Sequence, residues 1–220
     1  MHPRAAVLAD VAARVAALPD DAPRLVGIDG VDGVGKTVFA DELAHVLRGH
    51  GIRVVQVSID GFHRPRIERY RRGRASAEGY FRDSFDIDAL LEVVIAPLMP
   101  GGSGTVRTAV FDYRMDSPVP GELVPVAAGD VVLLDGVFLH QDALADVWDL
   151  SVLLRAPLAV AIARMAERDG MPMDDRIMQR YREGQRMYLA ECSPEQRASL
   201  VIDHTDVTAP RVVDVETVGG

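Results

Sequence analysis

The chain has 220 residues, 48% of them hydrophobic, and a formal net charge of −9. This length and composition suit one folded domain over residues 1–220, and the acidic balance argues against nucleic acid or an anionic membrane surface as a partner. The single cysteine, Cys192, excludes an internal disulfide and favours a cytoplasmic setting. No signal peptide or membrane-spanning apolar stretch is visible, and a homo-oligomer is left open.

Short apolar runs alternate with helical patterns along the chain, after an N-terminal surface helix predicted within residues 1–20. The runs predict strands over residues 25–28, 54–59, 106–111, 131–134, 150–154 and 200–202. Helical periodicity predicts helices over residues 36–48, 87–96, 158–168 and 174–191. Such alternation is typical of a three-layer αβα sandwich, in which a mostly parallel sheet binds its ligand at the carboxyl ends of the strands.

The loop after the first predicted strand indicates nucleotide binding. Lys36 is the only lysine among 24 basic residues, and it completes the phosphate-loop pattern G-x-x-x-x-G-K-[ST]. Glycines let backbone N–H groups converge on phosphate oxygens, and the helix that follows adds the positive end of its dipole. Lys36 is expected to reach the β- and γ-phosphates of ATP, and the Thr37 hydroxyl to ligate Mg²⁺. The predicted nucleotide-binding residues of this loop are Gly30, Val31, Asp32, Gly33, Val34, Gly35, Lys36, Thr37 and Val38.

Two carboxylates end predicted strands. Asp135 follows the run over 131–134, a form that predicts an acid holding Mg²⁺ directly or through water. Asp60 follows the run over 54–59, where an acid can accept the proton of an attacking hydroxyl or help to hold the metal. A helix cap or turn is the structural alternative for Asp60.

Five segments occur in the order seen in the uridine kinase and phosphoribulokinase-like group of P-loop kinases. They are residues 60–64, 111–113, 135–137, 164–169 and 200–206. The chain resembles this group from about Leu25 to Pro210. The resemblance implies ATP-dependent phosphorylation of a hydroxyl on a small molecule, with Asp60 as the acid-base residue. It also implies that the loop from Thr205 to Pro210 lies near the adenine.

A lid is predicted over about residues 160–180. Arg164 and Arg168 are four residues apart, so they project from one helix face and can close together over the transferring phosphoryl group. A solvated helix face is the alternative, and the resemblance favours the lid.

The acceptor site is predicted over about residues 60–85. Where uridine kinases carry an aspartate that grips the ribose, this chain has Tyr80, and the pyrimidine-binding segment reads Phe111-Asp112-Tyr113. The side chains predicted to contact a nucleoside or another polyol are Asp60, His63, Tyr80, Phe111 and Tyr113. The lid also lacks the group's usual Arg-Gly-Arg, so the resemblance does not extend to uridine itself.

Seven arginines lie between His63 and Arg82, at positions 64, 66, 69, 71, 72, 74 and 82. They indicate either a site for an acceptor that bears a phosphate or carboxylate, or an exposed insertion that balances an acidic chain. Nucleic-acid binding also suits basic residues among aromatics, but the net charge disfavours it.

An ATP-dependent switch protein with slow hydrolysis is the competing class. A GTPase switch would need the Asn-Lys-x-Asp guanine motif, and the only lysine already lies in the phosphate loop.

Overall fold

The structure, a computed structural model, describes residues 3–173 and 175–213. The strands are β1 (Arg24–Gly30), β2 (Val54–Ser58), β3 (Thr105–Arg107), β4 (Phe111–Asp112), β5 (Ser117–Pro118), β6 (Leu123–Pro125), β7 (Val131–Gly136), β8 (Leu150–Arg155), β9 (Leu200–Asp203) and β10 (Arg211–Val213). The helices are α1 (Pro3–Ala16), α2 (Lys36–Gly49), α3 (Arg66–Arg69), α4 (Ala77–Asp83), α5 (Ile87–Leu90), α6 (Leu158–Asp169), α7 (Arg176–Cys192) and α8 (Pro194–Arg197). Asp174, where the last long helix was predicted to begin, lies outside the described residues.

The central sheet has the strand order β10-β9-β8-β1-β7-β2. All its pairs are parallel except β10 with β9, which confirms the mostly parallel sheet. The register sets Asp135 of β7 opposite Ile28 of β1 and Ser58 of β2. The loops that follow these three strands therefore open at the same edge of the sheet.

Side chains alternate between the two faces of the sheet and bury two hydrophobic clusters. Val26 and Ile28 pack with α1 and α2, whereas Leu25 belongs to the cluster that includes residues of α4 and α7. The predicted αβα layering is confirmed. The N-terminal helix is more than a surface element, because Val11 and Val15 are fully buried in the first cluster.

The predicted strand over residues 106–111 is wrong as a member of the main sheet. Its first part lies in β3, which pairs antiparallel with β6, and its last residue lies in β4, which pairs antiparallel with β5. Residues 113–116 alone join β4 to β5, which favours a hairpin, and β6 follows this hairpin and returns to pair with β3. Gly121 lies at φ +64°, and an added Cβ would be 2.0 Å from the Ala109 carbonyl oxygen, so the two segments approach too closely for a side chain there.

The predicted helix over residues 87–96 is α-helical only in its first turn, α5, and continues as a π-helical turn and then a 3₁₀ turn. Asp86 caps α5 by accepting a hydrogen bond from the Ala89 N–H at 3.2 Å. A π-helical turn over Leu91–Ile95 and a 3₁₀ turn over Ala96–Leu98 follow. Pro97 lacks the N–H that would continue the α-helical pattern, which accounts for the 3₁₀ turn at its end.

Candidate active site

A cavity of about 390 Å³ opens at the carboxyl edge of the sheet. Its walls are the phosphate loop, the turn after β2, the end of β7 and one face of α6. It is lined by residues from three separate parts of the sequence: the adjacent pair Lys36 and Thr37, then Asp60, then Asp135. The fold therefore brings the predicted phosphate, metal and acid-base residues to one place.

The loop between β1 and α2 has a conformation that requires glycine. Gly33 lies at φ +77°, and an added Cβ would be 2.1 Å from the Ala161 carbonyl oxygen. Gly35 lies at φ +100° and directly precedes the first residue of α2. The loop residues Gly33, Gly35 and Lys36 border the cavity at the amino end of this helix. This geometry suits an anion, since helix N-termini present unpaired N–H groups and a positive dipole end.

Lys36, Thr37 and Asp135 form the polar floor of the cavity. The Lys36 ammonium donates to the Val31 carbonyl at 3.0 Å, and the Thr37 hydroxyl donates to Asp135 Oδ2 at 2.8 Å. Burial raises the pKa of Asp135 above its usual range, while the Thr37 hydrogen bond and Lys36 oppose that shift. A hydroxyl and a carboxylate oxygen at this distance fit Mg²⁺, which takes oxygen ligands and completes its shell with phosphates and water.

Asp60 lies in the 3₁₀ turn Ile59–Phe62 directly after β2, and its side chain is 59% exposed. His63 Nδ1 lies 3.0 Å from the Asp60 carbonyl oxygen, which can only accept, so Nδ1 carries the proton. The His63 ring stands between Phe85 and Tyr113, with centroids 4.5 and 4.7 Å away. Burial lowers the pKa of His63, which favours the neutral imidazole at pH 7.

Tyr80 lies at the border of the cavity, but its hydroxyl is directed at the phosphate loop. It donates to Asp32 Oδ2, to which Gln185 Nε2 also donates at 3.0 Å. Burial, followed by the Asp32 charge, raises the pKa of Tyr80 well above its usual value. Asp32 was predicted only as a loop residue, so its link to α4 and α7 is a feature that sequence reasoning missed.

Arg164 and Arg168 both line the cavity from one face of α6. Arg164 donates to the carbonyl oxygens of His204 and Thr205, at 3.2 and 2.5 Å. Arg168 binds Asp169 through Nε at 2.7 Å and through a second nitrogen at 3.1 Å. In this arrangement both guanidinium groups are held by protein oxygens beside the phosphate loop.

The predicted adenine loop is tied to the phosphate loop through His204, which sequence reasoning also missed. His204 Nε2 accepts from Arg4 at 2.9 Å, so Nδ1 is the donor to the Val34 carbonyl at 2.7 Å. Burial lowers the pKa of His204, consistent with this neutral form. Thr205 and Pro210, the two ends of this loop, do not line the cavity.

The two predicted aromatic acceptor contacts differ in position. Tyr113 lines the cavity and stacks near His63. Phe111 is 7% exposed, pairs with Pro118 in the β4–β5 hairpin and does not line the cavity. Of the two residues, only Tyr113 is placed at the cavity, and Phe111 is buried in the hairpin.

The arginine-rich segment folds into α3 and α4, and much of its charge is neutralised locally. Arg71 and Arg72 both bind the buried carboxylate of Asp83, at 2.5 and 2.9 Å. Arg82 donates two hydrogen bonds to the Glu191 carboxylate, at 2.9 and 2.7 Å. These three arginines therefore support the interpretation of a locally balanced surface, whereas Arg66 and Arg69 line a second cavity.

Replacing Asp83 by asparagine is expected to lower the free energy of unfolding by about 1 kcal/mol at pH 7, because two charge-assisted hydrogen bonds to half-exposed arginines are weakened. The Arg71 and Arg72 hydrogen bonds lower the pKa of Asp83 in the folded protein. Its contribution is therefore complete above the unfolded value of about 3.9 and is lost as pH falls through the lower folded value. Urea unfolding at neutral and acidic pH checks this, and a difference that persists unchanged below about pH 3 contradicts it.

A parallel αβα sheet with this phosphate loop defines a P-loop nucleotide-binding protein, and a strand-end acid beside the loop is typical of its kinases. Over the ranges 3–173 and 175–213, no helix has both the length and the apolar character needed to span a membrane.

Comparisons with known proteins agree with this class. Residues 25–215 match the sequence profile of the Phosphoribulokinase / Uridine kinase family. The uridine kinase of Latilactobacillus sakei subsp. sakei (strain 23K) is 26% identical over 187 residues, which cover 82% of this chain and 85% of that protein. The pantothenate kinase of Leifsonia xyli subsp. xyli (strain CTCB07) is 32% identical over 143 residues, which cover 61% of this chain and 44% of that protein.

A solved structure described as "Structure of a Possible Uridine Kinase from Bacillus stearothermophilus" aligns with a TM-score of 0.70 and 22% identity. The alignment covers 88% of this chain and 96% of that one, and at this identity the likeness concerns the fold. The chain belongs to the Phosphoribulokinase / Uridine kinase family. It is accordingly an ATP-dependent phosphotransferase that acts on a small molecule.

Proposed function

We propose that this kinase transfers the γ-phosphoryl group of Mg²⁺-ATP to a hydroxyl of a small polyol of the nucleoside or sugar type. The observation that carries the proposal is the meeting of Asp60, Lys36, Thr37 and Asp135 around one cavity. A phosphoryl acceptor, a phosphate cradle and a metal site all need to lie within one such space.

The phosphate loop is assigned to the triphosphate. The backbone N–H groups around Gly33 and Gly35 bind phosphate oxygens, and Lys36 exchanges its bond to the Val31 carbonyl for the β- and γ-phosphates. Thr37 and Asp135 hold Mg²⁺, which when bound neutralises charge on the phosphates during transfer. The loop from Thr205 to Pro210 is assigned to the adenine, with His204 fixing its distance from the phosphate loop.

Asp60 is assigned as the acid-base residue. Its exposed carboxylate borders the cavity, where it can accept the proton of the acceptor hydroxyl. The hydroxyl oxygen forms a bond to the γ-phosphorus as the bond to the ADP oxygen breaks. His63, Tyr80 and Tyr113 line the acceptor side of the same cavity and are assigned to substrate positioning.

Arg164 and Arg168 are assigned to a lid over residues 160–180. Both already face the cavity, so a small movement of α6 would bring their guanidinium groups to the transferring phosphoryl oxygens. Arg164 would then exchange carbonyl partners for charged oxygens, and charge-assisted hydrogen bonds are the stronger ones. This exchange links ATP binding to closure.

The direct test is ADP release from Mg²⁺-ATP across a panel of nucleosides, sugars, sugar phosphates and pantothenate-like alcohols, with mass spectrometry of the products. We expect one compound class to gain a single phosphate in stoichiometric amounts with ADP. The competing function is an ATP-dependent switch with slow hydrolysis, and ADP release independent of every compound would favour it. The same panel run with Asp60→Asn separates acceptor-dependent transfer from background hydrolysis.

A further inference from the structure

A second cavity adjoins the first on the side of the arginine-rich segment. It encloses about 330 Å³. The residues that line both cavities are His63, Tyr80, Tyr113 and Tyr181. A substrate whose hydroxyl lies beside Asp60 can therefore extend past His63 into the second cavity.

The part of the second cavity that is not shared is cationic. Arg66, Arg69, Arg114 and Arg180 line it, and no aspartate or glutamate of the described chain does. Two described acids contact this group: Asp116 accepts from the Arg66 backbone N–H at 2.9 Å and from Arg69 at 3.3 Å, and Asp112 accepts from the Arg114 backbone N–H at 2.8 Å. Two carboxylates beside four guanidinium groups still leave the cavity with an excess of positive charge, and among the described residues only the Arg69 guanidinium forms an ion pair, with Asp116 at 3.3 Å.

Arg180 is a buried arginine of this group whose charge is not balanced by a described carboxylate. It is 5% exposed, and its Nε has no hydrogen-bond partner. No described residue forms an ion pair with it at 4.0 Å or less. Its guanidinium instead stacks over the rings of Tyr70, Tyr80 and Tyr181, at 5.3, 5.1 and 5.4 Å from their centroids.

Stacking orients the guanidinium but does not neutralise it. Buried charges in proteins are normally paired, since an unpaired one is costly to remove from water. Arg71 and Arg72, a few residues along the chain, are paired in this normal way, because both form ion pairs with the Asp83 carboxylate. A planar guanidinium held among tyrosines and facing a cavity is suited to bind a carboxylate or phosphate through two parallel hydrogen bonds.

We propose that the acceptor substrate carries a carboxylate or phosphate group, and that Arg180, together with Arg69 and Arg66, binds this anion while the reacting hydroxyl lies beside Asp60. The inference deepens the kinase function proposed above and rests on it. The anion fixes the far end of the acceptor and thereby sets which hydroxyl reaches the γ-phosphate. Within the polyol class proposed above, it favours derivatives that carry an acid or phosphate group over neutral nucleosides and sugars of similar size, because a neutral acceptor leaves the arginine unpaired.

The experiment compares acceptors that differ in one charged group. Glycerate with glycerol and pantothenate with pantothenol test a carboxylate, and ribose 5-phosphate with ribose and fructose 6-phosphate with fructose test a phosphate. The proteins are the wild type, Arg180→Met and Arg186→Met. Arg186 is an exposed arginine on the same helix that pairs with Glu183 at 3.2 Å, so its variant is the matched control.

We expect the wild type to prefer the charged member of one pair, and that pair identifies the anion. Arg180→Met should raise KM for this acceptor about 10- to 100-fold, the loss expected for a charge-assisted pair, with KM for ATP unchanged. Arg186→Met should change neither constant by more than about twofold. The melting temperature of Arg180→Met should equal or exceed that of the wild type, because no protein carboxylate loses its partner.

Equal or better use of the neutral member of every pair would overturn the inference, as would an unchanged KM in Arg180→Met. If Arg180→Met does not fold, the variant Arg66→Gln, at an exposed arginine, should raise the same KM severalfold, and an unchanged KM in this variant counts against the site.

If no compound gains a phosphate, the kinase proposal fails by itself. The anion site is then judged by calorimetry with glycerate and inorganic phosphate on protein preloaded with a non-hydrolysable ATP analogue and Mg²⁺. Binding that Arg180→Met abolishes supports the site, and no binding overturns it.

Discussion

Asp60→Asn should lower kcat by about 10³-fold, within the range of 10² to 10⁴ typical of a lost acid-base group. The amide keeps the shape of the carboxylate but cannot accept the proton of the attacking hydroxyl. The Kd for Mg²⁺-ATP should stay within about threefold of the wild type, because Thr37 and Asp135 are assigned to hold the metal. Stability should change little, since the Asp60 side chain is 59% exposed.

Asp88→Asn is the matched control, an exposed carboxylate on α5 that does not line the cavity. Its kcat should equal that of the wild type. Steady-state turnover with the identified acceptor and calorimetric titration of the ATP analogue give the two constants. A large loss of Mg²⁺-dependent nucleotide affinity in Asp60→Asn, with transfer retained, would make Asp60 a metal ligand instead.

The sheet could be predicted where a strand is a buried apolar run. The runs at Leu25, Val54, Val131, Leu150 and Leu200 all begin or lie within strands of the main sheet. The run that starts at Val106 looks the same locally, but it is divided between two small antiparallel pairs, β3 with β6 and β4 with β5. Periodicity reports burial, and it does not report which strand a segment will pair with.

The phosphate and metal residues could also be predicted, because their pattern is nearly local. The loop and Lys36 are contiguous in sequence, and Asp135 is identified by the strand it ends. The parallel register of β1, β2 and β7 then brings Asp135 and the turn after Ser58 to the same edge. Their assembly in one cavity follows from a general property of such sheets.

The acceptor side could not be predicted, because it depends on how α4 packs against α7. Gly184 on α7 lets Tyr80 approach so closely that an added Cβ would be 2.6 Å from its ring. That contact directs the Tyr80 hydroxyl at Asp32 and places Arg180 over the tyrosine rings. No spacing in the sequence marks Arg180 as different from the other arginines of α7.

Lys36→Met should lower kcat by about 10² to 10³, the loss typical of one donor that stabilises charge in the transition state. Methionine matches the length of the stem but has no ammonium to reach the β- and γ-phosphates. Because Lys36 donates to the Val31 carbonyl within its own loop, the change removes one intraloop hydrogen bond and should cost about 1 kcal/mol of stability. Turnover with the identified acceptor measures the first effect, and urea unfolding the second.

The variant Lys36→Arg tests whether this position requires only a positive charge or also the compact shape of a lysine ammonium. Lys36 is the first residue of α2, and its ammonium reaches back across the loop to the Val31 carbonyl at 3.0 Å, a contact that suits a compact ammonium. A planar guanidinium keeps the charge but presents a wider fork, and we expect kcat to fall nearly as far as in Lys36→Met. Near-wild-type activity in Lys36→Arg would mean that charge alone is sufficient at this position. Full activity in Lys36→Met would contradict the phosphate-binding role itself.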